Sequence, residues 1–124
     1  MASLGYATVG SNRLEDAKAF YDALLGSAGI TPLFEHPSGG RVYGKDGSLF
    51  FVVLSPYDLK PATVGNGSMH SFHFDTRGEV DTFYAKALAL GGADEGAPDE
   101  RGPGYYMSYF RDLDGNKLCA LNLS

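Results

Sequence analysis

Several absences narrow this chain before any motif is read. One cysteine in 124 residues cannot close an internal disulfide, so nothing here is a disulfide scaffold, and a reducing compartment is expected. The longest apolar run, Leu49 to Leu54, is too short to cross a bilayer. No basic stretch followed by an apolar one opens the sequence, so no secretion signal is expected and the expected location is cytoplasmic. Basic residues are outnumbered, 10 against 15 acidic, for a net charge of −5, and they are scattered. That argues against nucleic acid or a membrane surface as a partner. No Ser-His-Asp order, phosphate-binding glycine motif or Cys-x-x-Cys pair appears.

What is present is apolar content for a core, 44%, and many glycines, 17, which punctuate a chain of short elements. A self-similarity organises them. Phe20-Tyr21 recurs as Phe83-Tyr84, and the same offset carries Leu25 to Leu88 and Gly29 to Gly92. Each aromatic pair lies in a stretch of helical period, Leu14, Ala17, Tyr21, Leu24 and Leu25 in one, Val80, Phe83, Tyr84, Ala87 and Leu88 in the other. Asn12 with Glu15, and Thr76 with Glu79, have capping-box spacing, and Gly26 and Gly91-Gly92 supply stops. Strands are expected at Leu4–Val9, Thr31–Glu35, Arg41–Lys45 and Ser48–Leu54, then at Met69–Phe74, Ala93–Ala97, Tyr105–Arg111 and Asn116–Leu121. Asp46-Gly47 and Asp114-Gly115 each turn the chain into the last strand of a half.

The expected fold is therefore α+β, two βαβββ repeats in curved mixed sheets with helices outside and a concave cup inside. The expected organisation is a single domain over 1–124, with repeat one at about 1–55, a Pro- and Gly-containing linker at about 56–67 and repeat two at about 68–124.

The stretches "LEDAKAFYDALLG" (Leu14 to Gly26) and "GYYMSYFRDLDGNKL" (Gly104 to Leu118), set in two βαβββ halves, resemble the vicinal oxygen chelate superfamily. That group includes glyoxalase I, bleomycin-resistance proteins, extradiol dioxygenases and fosfomycin-resistance enzymes. Its enzymes hold a divalent metal with His and Glu ligands on the first and last strands of each half. Carried onto this chain, the resemblance implies Tyr6 and Met69 for the first strands. Five residues past each Asp-Gly aspartate, it implies Phe51 and Cys119 for the last.

Phe51 and Met69 are not ordinary ligands for a hard or borderline cation, and Tyr6 would need to ionise near neutral pH. No metal and no cofactor are thus expected. Cys119 lacks a neighbouring base and reads as a small buried hydrophobe. Alternation places Phe72 and Phe74 toward the helix and leaves Met69, Ser71 and His73 for the cup, where His73 either meets a ligand or hydrogen-bonds a neighbouring strand. The acidic run Asp94, Glu95, Asp99 and Glu100 reads as a solvated loop.

The expected ligand-binding set is Tyr6, Phe51, Met69, His73, Tyr106 and Cys119, facing a small apolar or aromatic molecule. The leading expectation is a metal-free small-molecule binder, its catalytic residues unknown. Two alternatives stand beside it: a glyoxalase-like lyase or dioxygenase-type metalloenzyme with non-standard ligands, and a module with a filled cup that forms a homodimer.

Overall fold

The computed structural model describes residues 1–124, and the chain divides into two compact units, Met1–Thr63 and Val64–Ser124. The first runs β1 (Ala7–Gly10), α1 (Leu14–Gly26), β2 (Thr31–Glu35), β3 (Arg41–Lys45) and β4 (Ser48–Leu54). The second repeats the order with β5 (His70–His73), α2 (Arg77–Ala89), β6 (Ala93–Glu100), β7 (Tyr105–Arg111) and β8 (Lys117–Leu123). Each half forms one four-stranded sheet, ordered β1-β4-β3-β2 and β5-β8-β7-β6. The outer pairs β1/β4 and β5/β8 are parallel and the rest antiparallel. The α+β class and the duplicated βαβββ unit are as the sequence implies. No helix is long and apolar enough to cross a membrane.

Helix α1 forms because Ala17, Phe20, Tyr21, Leu24 and Leu25 recur on one face, and all five are buried. On the sheet beneath, Phe51 meets Tyr21 with ring centroids 5.1 Å apart. Tyr43 donates its hydroxyl to Asp22 of α1 at 2.7 Å, and Arg41 pairs with the same carboxylate. The second unit buries Phe83 of α2 against Phe72, Phe74 and Phe110, with centroids 5.5, 4.9 and 5.9 Å away. Rings at these separations add a directional term to the apolar area they bury.

The two helix starts differ. Thr76 and Glu79 form the expected reciprocal box, Glu79 N–H donating to Thr76 Oγ1 at 3.2 Å and Thr76 N–H to Glu79 Oε1 at 3.1 Å. The Asn12–Glu15 box does not form. The cap position is Arg13, whose N–H donates to Ser11 Oγ at 2.9 Å, while Asn12 clamps the backbone of Ala62. Its Oδ1 accepts from Ala62 N–H at 2.6 Å and its Nδ2 donates to Ala62 O at 3.0 Å. A long-range backbone pair outcompeted the local one. Helix α1 ends at Gly26 as expected, and left-handed Gly29 and Gly91, at φ 81° and 104°, turn the chain after α1 and α2.

The final hairpins also differ, and this sets which residues face where. Asp46 and Gly47 take φ 53° and 79° in a two-residue turn between the paired Lys45 and Ser48. A register shift follows, Gly44 opposing Leu49 but Tyr43 opposing Phe51. In the second unit the pair Arg111–Lys117 leaves Asp112 to Asn116 as a wider loop. Buried Asp112 organises it, Oδ1 accepting from Asp114 N–H and Asn116 N–H, both at 2.9 Å.

The edge strand β6, expected over Ala93–Ala97, runs on to Glu100, so the acidic run is strand rather than solvated loop. Asp94 accepts from Tyr84 Oη at 2.8 Å, Glu95 from Arg111 Nε at 2.6 Å and Glu100 from Arg77 Nη1 at 3.2 Å. Acidic side chains on an edge resist pairing with another sheet.

Candidate functional site

In each sheet one face is covered by its own helix, and pleating sends alternate side chains to the other, open face. On β7 and β8, Phe110 and its partner Leu118 lie on the α2 side, so Tyr109 and Cys119, also a cross-strand pair, lie on the open side. Ser71 of β5 stands opposite Cys119 across the parallel ladder, and His73 opposite Leu121. Met107 joins this face, its sulfur accepting the Tyr109 hydroxyl at 3.5 Å. The open face of the second sheet thus gathers a thiol, a serine hydroxyl, an imidazole, a thioether and a phenol.

Cys119 is fully buried at 0% exposure, whereas Ser71 and His73 are exposed. Burial pushes its thiol up from the ordinary value, opposed by the Ser71 hydroxyl and, more weakly, by the charges of Arg101 and Lys117. A neutral, buried thiol is a poor nucleophile and a poor metal ligand at neutral pH. Tyr109 carries two cations on its ring, Arg101 Cζ and Lys117 Nζ each 5.1 Å from the centroid. Sequence reading did not single out Arg101 or Lys117. Arg101 lies beyond the end of β6 and folds back over the sheet, a return that no local pattern announces.

Two expected site residues face their helices instead. Phe51 is 1% exposed and packs on Tyr21. Counting equal steps past each Asp-Gly assumed equal hairpins, but one is tight and bulged and the other wide. The ladders give the true counterpart: Val52 opposes Thr8 as Cys119 opposes Ser71, and the Phe20-to-Phe83 offset relates Thr8 to Ser71. Tyr106 is likewise on the helix side, donating to Asp81 of α2 at 2.6 Å with Arg77 Cζ 4.9 Å from its ring centroid. The Asp81 hydrogen bond, then burial, holds its phenol above the ordinary range. Tyr6 and Met69 lie just before β1 and β5, 55% and 39% exposed.

These side chains do not fit a divalent cation. Val52, Phe51 and Met69 bring no hard donor, Cys119 is held protonated, and nowhere do three or more His, Cys, Asp or Glu come together in a way that could hold a metal. A separate surface hollow of about 430 Å³ lies in the first unit between Ser11, Leu14, Pro56 and Leu59. Its lining holds Lys60 but no carboxylate, imidazole or thiol, so it offers no acid–base pair.

The model of the Glyoxalase/Bleomycin resistance protein/Dioxygenase superfamily matches residues 3–120. The chain belongs to that superfamily. Among solved members, a glyoxalase/bleomycin resistance protein from Albidiferax ferrireducens T118 is 38% identical, with 98% of each chain covered and a TM-score of 0.87. A glyoxalase/bleomycin resistance protein/dioxygenase family enzyme from Burkholderia phytofirmans PsJN is 21% identical over 99% of this chain and 100% of that one, TM-score 0.76. Lactoylglutathione lyase from Agrobacterium tumefaciens is 20% identical over 98% and 94%, TM-score 0.71. The last two share the fold of this superfamily member. Comparison with curated proteins returns no match.

Proposed function

We propose that this superfamily member binds a small, partly aromatic molecule on the open face of its second sheet without a metal ion. The observation that carries the reading is the chemistry at the positions where the family's enzymes place ligands. Tyr6, Met69 and Cys119 stand there, with Val52 rather than a carboxylate in the fourth place. Packing alone would be served by Ile, Val and Leu. This face instead keeps Ser71, His73 and Tyr109, whose polar atoms a ligand can use. Met69 and Met107 add soft, adaptable contact area. The proposed ligand-contacting set is Met69, Ser71, His73 and Tyr109, with Tyr6 in the equivalent place of the first unit.

The test is a thermal-shift screen of aromatic acids, quinones and glutathione adducts in the presence of a chelator. The reading expects at least one compound class to raise the melting temperature, with the shift reduced by Ser71→Ala and His73→Ala. Stabilisation that requires added metal would favour the metalloenzyme reading instead. No stabilisation by any compound would favour a filled, non-binding face.

A further inference from the structure

Of ten Lys and Arg side chains in this acidic chain, Arg13, Lys18, Arg41, Arg77 and Arg111 are engaged with carboxylates. Arg101 and Lys117 are not, yet both converge on the Tyr109 ring. The guanidinium is held in place. Its Nη2 donates to Ala97 O at 2.5 Å and its Nε to Met107 O at 3.3 Å, which leaves Nη1 uncommitted. Position 96 is glycine, and a Cβ there would sit 3.0 Å from Arg101 Nη2 and 3.0 Å from Tyr109 Cδ2. A side chain at 96 would therefore crowd both the guanidinium and the ring.

Glu95, next to Gly96, is taken by Arg111, and the Asp99 carboxylate accepts from Glu100 N–H at 2.8 Å. Lys117 is the cross-strand partner of Arg111 on the same side, and Asp99 stands opposite Met107 there, so the open face bears three cations against two carboxylates. Their field reaches the ligand face, since Arg101 and Lys117 both act on the Cys119 thiol. A basic cluster in a chain of net charge −5, arranged around an aromatic ring, is a recognition feature more than a solubility feature.

We infer that Arg101 and Lys117 form the anion-binding end of this site, and that its ligand is a small planar organic carboxylate. A guanidinium fork matches a carboxylate in shape, and the lysine supplies a second, unshaped charge. The planar part of such a ligand would extend past Tyr109 toward Ser71 and His73. The inference rests on the proposed binding face and specifies what occupies it.

The probes are 2-naphthoate and its neutral amide, 2-naphthamide, titrated calorimetrically into wild type, Arg101→Gln and Lys117→Gln at low and high salt. The expected result is about tenfold tighter binding of the acid than the amide, as charge-assisted hydrogen bonds warrant. Each variant should lose most of that preference while binding the amide as before, and salt should act on the acid alone. If Arg101→Gln fails to fold, Lys117→Gln still decides, since Lys117 lies on a regular strand and forms no ion pair. Equal affinity for acid and amide, or acid affinity within twofold in the variants, overturns the anion site and leaves the binding face standing. If neither these probes nor neutral quinones bind at all, the binding face falls with it.

Discussion

Replacing Phe51 with alanine separates a core residue from a ligand-contacting one. The ring is 1% exposed and sits 5.1 Å from Tyr21 on the α1 side of the first sheet. Transfer of a buried phenylalanine side chain is worth roughly 1.5–3 kcal/mol, and the cavity left behind raises the cost of truncation to about 3–5 kcal/mol. Spread over a chain of this size, that should lower the melting temperature by on the order of 10 °C or more. Its neighbour Phe50 is 40% exposed, so Phe50→Ala should cost about 1 kcal/mol or less. Urea unfolding followed by circular dichroism gives both values under the same conditions. Equal, small costs for the two variants would refute the placement of Phe51 under α1. So would a Phe51→Ala variant of wild-type stability that had lost ligand affinity.

Burial and the Asp22 hydrogen bond hold the Tyr43 phenol far above its ordinary value. The contribution of this phenol to stability is fully present below about pH 10, where the unfolded phenol is still protonated, and is lost as pH rises beyond it. Between pH 9 and 11 wild type should therefore lose stability more steeply than Tyr43→Phe, as read by denaturant midpoints. At pH 7 the same variant should cost about 1.5 kcal/mol, because it removes a hydrogen bond to a carboxylate. Thr76→Ala should cost about 1 kcal/mol through loss of the α2 box, and Glu15→Ala far less, since Glu15 takes no part in a cap. Cys119, fully buried with a raised thiol, should react with a thiol reagent at pH 8 only on unfolding, which absorbance at the reagent's wavelength follows directly.

The repeat was legible because it rests on helix phase and on Asp-Gly turns, both local and both periodic. Phe20-Tyr21 and Phe83-Tyr84 located the helices, and βαβββ topology followed. What local pattern could not provide was register across strands. The bulge beside Tyr43 and the Asp112-organised loop displace the last strands differently, so equal counting put Phe51 where Val52 belongs. Tyr106 and Tyr109 were indistinguishable until Phe110 fixed which face met α2. Asn12 had the chemistry of a cap, and a partner distant in sequence, Ala62, took it. The start of β6 was legible at Ala93–Ala97, but its continuation to Glu100 was hidden by acidic composition, which cross-element partners such as Arg77 make tolerable. Arg101 gave no sequence signal at all, because its role depends on the chain folding back over Gly96.

Metal-independent binding is the central claim, and calorimetric titration of Ni²⁺, Mn²⁺ and Zn²⁺ into chelator-treated protein tests it most directly. The side chains at Tyr6, Val52, Met69 and Cys119 predict no saturable one-to-one isotherm for any of the three ions. A one-to-one isotherm of micromolar affinity or tighter, abolished by Tyr6→Ala or Cys119→Ala, would contradict it.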